Sequence, residues 1–397
     1  MDSGDTAWLM TSAALVLFMT PGLAFFYAGM VRSKNVLGML MQNVFAMGII
    51  SLIWATIGFS LAFGGDAPLL GNLDYAFMGD IAGDEGMAFF AFQMMFAVIT
   101  PALITGATAD RLKFGSYAIF IAIWSIVVYS PVAHWVWDAG GWIFDMGAQD
   151  FAGGAAIHIN AGIAALVIVA VLGERRGHGT EPMPPHNLPF TVLGTGILWF
   201  GWFGFNAGSA LAANGVAAQA LVNTHLAAAA GMLGWLVVEQ FKTGHPTVLG
   251  ACSGAVAGLV AITPCAGFVG GMSPIWIGLI AGAGCYVALR VKELMRLDDS
   301  LDVIAVHLVG GLIGTVLLGF FGDSAINGDG ADGLFYGGGG ELLKDQVLAA
   351  LGVMLFSGVL SYVIAVGIDK TIGLRVDHDQ ELVGLDQSQH AESAYQA

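Results

Sequence analysis

Eleven apolar stretches, each near the ~20 residues that an α-helix needs to cross the hydrocarbon core of a bilayer, alternate with short polar segments along this chain. They lie at about 8 to 31, 36 to 63, 87 to 108, 115 to 137, 153 to 172, 190 to 211, 216 to 239, 247 to 268, 274 to 290, 301 to 321 and 345 to 367, by the length expected of a spanning helix. Composition excludes a soluble fold. Charged residues make up 11% of the 397 positions and apolar residues 57%, with a mean hydropathy of +0.77, whereas a globular domain carries about 25% charged residues. The expected fold is an all-α polytopic membrane protein with eleven transmembrane helices.

Basic residues set the orientation. Arg32 and Lys34; Arg111 and Lys113; Arg175 and Arg176; Lys242; Arg290, Lys292 and Arg296; and Lys370 with Arg375 all fall in alternate polar segments, and Lys344 alone falls on the other side. The positive-inside rule then predicts an external N-terminus and a cytoplasmic C-terminus. A span miscounted anywhere would send the downstream charges to the wrong side, so the bias also checks the count. The opening residues Met1-Asp2-Ser3-Gly4-Asp5 lack the basic start of a cleavable signal, and the first stretch is read as a retained span. Residues 1–367 are expected to form the membrane domain and 368–397 a cytoplasmic tail.

Gly occupies 58 positions, about twice its usual ~7% share. Small residues let helices approach closely in lipid, and Gly250, Gly254 and Gly258, or Gly278 with Gly282, have the spacing for it. The net charge of −16 comes from acids in the polar segments, as solvated loops would have, and no basic surface suited to nucleic acid is present. Cys252, Cys265 and Cys285 sit in apolar runs with no CxxC pair, which argues for buried small residues and no metal site. No cofactor is called for.

His158-Ile159-Asn160-Ala161-Gly162-Ile163 in the fifth span and His307-Leu308-Val309-Gly310-Gly311-Leu312 in the tenth share a His-x-x-small-Gly-aliphatic pattern. Phe25-Phe26-Tyr27-Ala28-Gly29 in the first span likewise resembles Gly204-Phe205-Asn206-Ala207-Gly208 in the sixth. A repeat of five spans fits both, with halves of about 8–172 and 190–321 and an extra eleventh span outside it. Because five is odd, the second copy enters the bilayer inverted, and such folds place their shared site near the midplane. Each histidine lies roughly six residues inside its span, about 9 Å deep at 1.5 Å per residue. In a ~30 Å core both approach the midplane, where ionisable groups are costly and face a cavity or each other. Two neutral imidazoles can share one hydrogen bond and present their other nitrogens to a pore. His225 in the seventh span has no repeat partner and reads as structural.

Aromatic residues gather toward the outer side: Trp135, Trp137 and Trp142, and Phe89, Phe90, Phe92 and Phe96. Interface anchoring and packing account for most of them, and a few can form a cation–π vestibule. Asp150, opening Asp150-Phe151-Ala152-Gly153-Gly154, has the position of a helix-capping carboxylate for the span that carries His158.

With these residues in view, the chain resembles the ammonium transporter family, which includes the Rh proteins, over essentially its whole length. Thr20-Pro21-Gly22 through Gly29 is similar to the family's first span, and Asp150 to Gly154 followed by His158-Ile159-Asn160 to its fifth. Gly201-Trp202-Phe203-Gly204-Phe205-Asn206-Ala207-Gly208-Ser209 resembles its sixth, and Gly250-Ala251-Cys252-Ser253-Gly254 with Ile262-Thr263-Pro264 its eighth. Gly373-Leu374-Arg375-Val376, and Gly384-Leu385-Asp386 onward, resemble its regulatory tail. The resemblance implies a homotrimer in the plasma membrane with one pore per subunit, a multi-pass transporter and not an enzyme. Trp137 and Ser209 would recruit ammonium, Phe96 and Phe205 would form a stacked gate, and His158 with His307 would line the pore. Asp150 and Phe92 would support the recruitment site. Ammonium, methylammonium or ammonia would be the cargo, and a P-II-type regulatory protein would act at the cytoplasmic tail. The tail's alternative reading is a flexible end.

An apolar pore rejects an ion that keeps its charge, since moving one into low dielectric costs of order 20 kcal/mol in idealised estimates. Ammonium can shed a proton and potassium cannot. Two other classes are weighed against this transporter. Paired histidines on facing helices can ligate haem, which would colour the purified protein. An ammonium sensor would bind without much transport, but no signalling domain follows the last span.

Overall fold

The computed structural model describes residues 2–81 and 83–395. Met1 and the end of the expected tail, Gln396 and Ala397, lie outside the described residues. Among those described, ten helices are long and apolar enough to cross a membrane. They are α1 Ser3–Met30, α2 Ser33–Phe63, α3 Gly86–Thr108, α4 Phe114–Met146, α5 Gly154–Leu172, α6 Leu188–Ala207, α7 Gly215–Thr243, α9 Ser273–Lys292, α10 Ile304–Phe321 and α11 Glu341–Thr371. The stretch expected at 247 to 268 is helical only over α8, Val248–Ile262, 15 residues long. Thr263 keeps helical backbone (φ −52°, ψ −48°), but Pro264 has no N–H to continue the hydrogen-bond ladder, and the helix stops there. The residues from Thr263 onward continue as turns.

Small residues draw the bundle together. A side chain on Gly258 would strike the Ala227 carbonyl and one on Gly282 the Gly231 carbonyl, so α8 and α9 each press against the backbone of α7.

One end of the bundle is held by charge. Arg32 pairs with Asp110 at 2.9 Å and Arg175 with Asp298 at 2.8 Å. The fully buried Arg111 donates to Gly173, Ala109 and Asp298 carbonyls and to Ser300 Oγ, tying the ends of α3, α5 and α10. Burial lowers its pKa to about 10, so it stays protonated at neutral pH. Burial would raise Asp298, but the Arg175 hydrogen bonds and the charges of Arg111 and Arg175 outweigh it and bring the carboxyl down to about 2.

The tail folds onto this same end. Lys113 N–H donates to Leu374 O and Val376 N–H to Arg111 O, a two-residue bridge. Two short helices follow, α12 His378–Val383 and α13 Leu385–His390. Glu381 takes Arg375 and the Arg176 amide, Lys34 donates to the Glu381 and Leu382 carbonyls, and Asp386 accepts from the Gly38 amide near the start of α2. These contacts dock the tail on the bundle.

Candidate functional site

His158 and His307 approach each other deep in the bundle. Their Nδ1 atoms are 3.2 Å apart, their ring centroids 5.3 Å, and the rings lie within 19° of parallel. Both side chains are buried. His158 also stacks on Trp202 at 5.6 Å and faces Phe205 at 6.2 Å. Among the described residues its Nε2 has no hydrogen-bond partner.

The two helices that carry the pair begin alike. The Asp150 carboxylate accepts from four successive amides: Oδ1 from Gly153 and Gly154, Oδ2 from Ala155 and Ala156, at 2.6 to 3.0 Å. The first turn of α5, Gly154–Ile159, is a wide π turn, with both Ile157 and His158 donating to the Gly153 carbonyl. In α10, Asp299 accepts from Val303 and Ile304, and the first turn, Ile304–Val309, is again π-helical. Asp150 and Asp299 each stand eight residues before their histidine, and Gly153 and Asp302, both with positive φ, five before. π turns inside helices recur at functional sites because the extra residue re-aims a side chain. Sequence reading found Asp150 and overlooked Asp299, although the shared −8 spacing was there to find.

Close crossing of α5 and α10 brings the rings together. Gly162, four residues past His158, sits so near Leu308 that a Cβ would lie 2.5 Å from the Leu308 nitrogen. Gly311, four past His307, packs on the Gly154 carbonyl and the His158 and Ile159 side chains.

Around the pair lies a slot of about 10 Å3, near the minimum that admits one water-sized molecule. Leu23, Phe26, Ile99, Leu103, Leu198 and Val256 are among its walls. At one end stand Phe96 and Phe205, stacked 4.4 Å apart and 28° from parallel. Phe92 meets the edge of Phe96 at 4.7 Å and packs against Gly208. Trp137 meets Phe96 edge-on at 5.9 Å and donates its indole N–H to the Asp150 carbonyl at 2.9 Å. Ser209 follows Phe205 by one helical turn and donates its hydroxyl to the Phe205 carbonyl.

The chain from residue 7 to 395 matches the model of the Ammonium Transporter Family. It is 49% identical to an ammonium transporter of Mycobacterium tuberculosis over 99% of this chain and 90% of that one. Crystallised Mep2 of Candida albicans superposes with a TM-score of 0.90 at 34% identity, covering 96% of this chain and 88% of that one. A structure titled Sensor Amt Protein superposes equally, with a TM-score of 0.90 at 29% identity over 98% of both chains. The chain belongs to the ammonium transporter family. It is a multi-pass membrane protein for ammonium transport, and not an enzyme.

Within this family member, the structure draws Trp137, Phe92, Phe96, Phe205, His158, His307 and Asp150 into one connected column, with Ser209 beside Phe205. His225 stands apart on the exterior, its ring 5.4 Å from Trp199 and 6.3 Å from Phe203. Among the described residues no group of His, Cys, Asp and Glu has the geometry of a metal site.

Proposed function

We propose that this chain takes up ammonium by recruiting the cation at Trp137 and Ser209, stripping its proton at the Phe96–Phe205 gate, and passing ammonia along His158 and His307. The observation that carries this reading is the pair of imidazoles bonded Nδ1 to Nδ1 in a slot the size of one water molecule. One Nδ1 must donate and the other accept, so the rings hold opposite tautomers and their Nε2 atoms differ as donor and acceptor. Ammonia can both donate and accept along such a pair. A potassium ion, which cannot lose its charge, would forfeit its hydration there, with an idealised cost of order 20 kcal/mol. The Nδ1 contact also offers a route for the released proton, and net charge movement is the signature of its use.

Several finer features belong to the same proposal. The like-built entries of α5 and α10 support an inverted repeat of spans 1–5 and 6–10, with the eleventh span outside it. The basic knot around Arg111 supports a cytoplasmic C-terminus and an external N-terminus in the plasma membrane. His225, a polar ring exposed on the bundle exterior within α7, is costly against lipid and calls for protein cover. A homotrimer supplies it. The docked tail presents a surface for a P-II-type regulatory protein, and ligand-dependent pull-down with and without residues from Leu374 onward tests that contact.

The deciding experiment is isotope uptake and current recorded together in liposomes that contain only this protein. His158→Ala or His307→Ala should lose transport or selectivity against potassium. Unchanged ammonium flux together with unchanged potassium exclusion in both variants ends the reading. A sensor role, favoured by the likeness to Sensor Amt Protein, predicts saturable ammonium binding with little flux in the same preparation.

A further inference from the structure

At the end of the bundle remote from the basic knot, α2, α3 and α4 border an open cavity of about 490 Å3. Its walls include Phe59, Phe63, Tyr75, Phe89 and Trp137, and two carboxylates, Asp80 and Asp138, lie among them. Four of the rings form one connected wall. Phe59 meets Phe63 at 5.4 Å and Tyr75 at 5.6 Å, and Phe63 meets Phe89 edge-on at 4.9 Å. Asp138 accepts from the Gly140 amide. Among the described residues, Asp80 has no hydrogen bond or ion pair, and the Lys344 at this end is paired with Glu341 and Asp345. Of the aromatic and polar residues in the proposed recruitment site and gate, Trp137 borders this cavity, while Phe96, Phe205 and Ser209 do not.

Aromatic faces carry negative quadrupole charge, and two acidic groups add to it, so the cavity selects a cation. Its size says which kind. Ammonium is about as large as water, whose share of liquid volume is ~30 Å3, and would leave most of this space empty. Cavities of roughly 300 to 1,000 Å3 suit organic ligands of many atoms. An ammonium group bearing methyl substituents meets both demands, with its methyls against the rings and its charge toward Asp80 and Asp138.

We infer that this cavity is a second cation site, one that takes quaternary ammonium compounds too large for the slot beside His158. Its occupant shares Trp137 with the recruitment site, so it hinders ammonium entry; that consequence rests on the proposed transport route, while binding itself does not.

Titration calorimetry of the purified full chain with tetramethylammonium chloride tests the binding. Saturable heat is expected for the wild type, and none from sodium chloride at equal ionic strength. Tyr75→Ala and Asp80→Asn should each weaken binding about fivefold or more, as loss of a cation–π partner or a facing charge implies, while Tyr75→Phe keeps the ring and the affinity. Absence of saturable heat, or wild-type affinity retained in Tyr75→Ala and Asp80→Asn, overturns the site. In liposomes the same cation outside should lower ammonium uptake by the wild type and less so by Tyr75→Ala. Undiminished uptake at saturating cation would refute the shared use of Trp137. A protein that binds tetramethylammonium but carries no ammonium would overturn the transport route and leave this site standing.

Discussion

Replacing Gly162 with Ala tests whether the crossing of α5 and α10 sets the histidine spacing. The added Cβ would lie 2.5 Å from Leu308 N and 2.7 Å from Leu308 Cα, which are backbone atoms with no rotamer to yield. Ordinary contact needs about 3.5 Å or more, so the helices must part by about 1 Å. The Nδ1–Nδ1 distance of 3.2 Å then grows to about 4 Å, beyond hydrogen-bond range. Stability moves less, because overpacking costs about 1 to 3 kcal/mol while Ala in a helix regains about 1 kcal/mol over Gly. Losing a bond worth about 1.4 kcal/mol corresponds to about a tenfold fall in rate. Labelled methylammonium uptake in liposomes, read beside a thermal melt, separates the two effects. Gly196→Ala is the control, since a Cβ there meets nothing within 4 Å. Uptake by Gly162→Ala within twofold of wild type would refute the claim that this contact positions the pair.

Asp150→Ala leaves four amides without their acceptor, and each orphaned donor costs about 1 to 3 kcal/mol where water cannot reach it; a clear fall in melting temperature and uptake is expected, with Asp150→Asn intermediate. Burial raises the Asp299 carboxyl to about 6, with Lys292 lowering it and Asp302 raising it. A raised carboxylate stabilises the fold fully below its unfolded pKa near 4 and loses that contribution as pH rises through about 6, about 3 kcal/mol in all. The melting temperature of Asp299→Asn relative to wild type should therefore climb between pH 4.5 and pH 7.5, and a pH-independent difference would contradict it. Deleting residues from 377 onward removes the partners of Lys34, Arg176 and the Gly38 amide. Amide exchange at 34–40 should accelerate, and unchanged protection there would argue that the tail is not docked in solution.

The membrane class was legible in the sequence because bilayer physics acts on single segments: every span must be apolar over its own length, wherever it packs. The short α8 departed from the expected span because Pro264 interrupts the backbone inside an otherwise apolar run, a local signal that hydropathy outweighed. The histidines stood out singly for the same reason, as polar groups in apolar runs. Asp150 was readable as a cap from its place before a helix, but Asp299 was hidden among the acids of a polar loop. Only its place eight residues before His307, as Asp150 stands before His158, marks it in the sequence.

What the residues alone determined, then, is which segments enter lipid and which rare polar groups go with them, since desolvation is paid residue by residue. That His158 and His307 share a bond, that Phe96 lies on Phe205, and that five rings and two carboxylates from α2, α3, α4 and the segment joining α2 to α3 line one cavity depend on distances between elements. Those distances are fixed by close contacts such as Gly162 on Leu308, between residues far apart in the chain, and no local pattern encodes them.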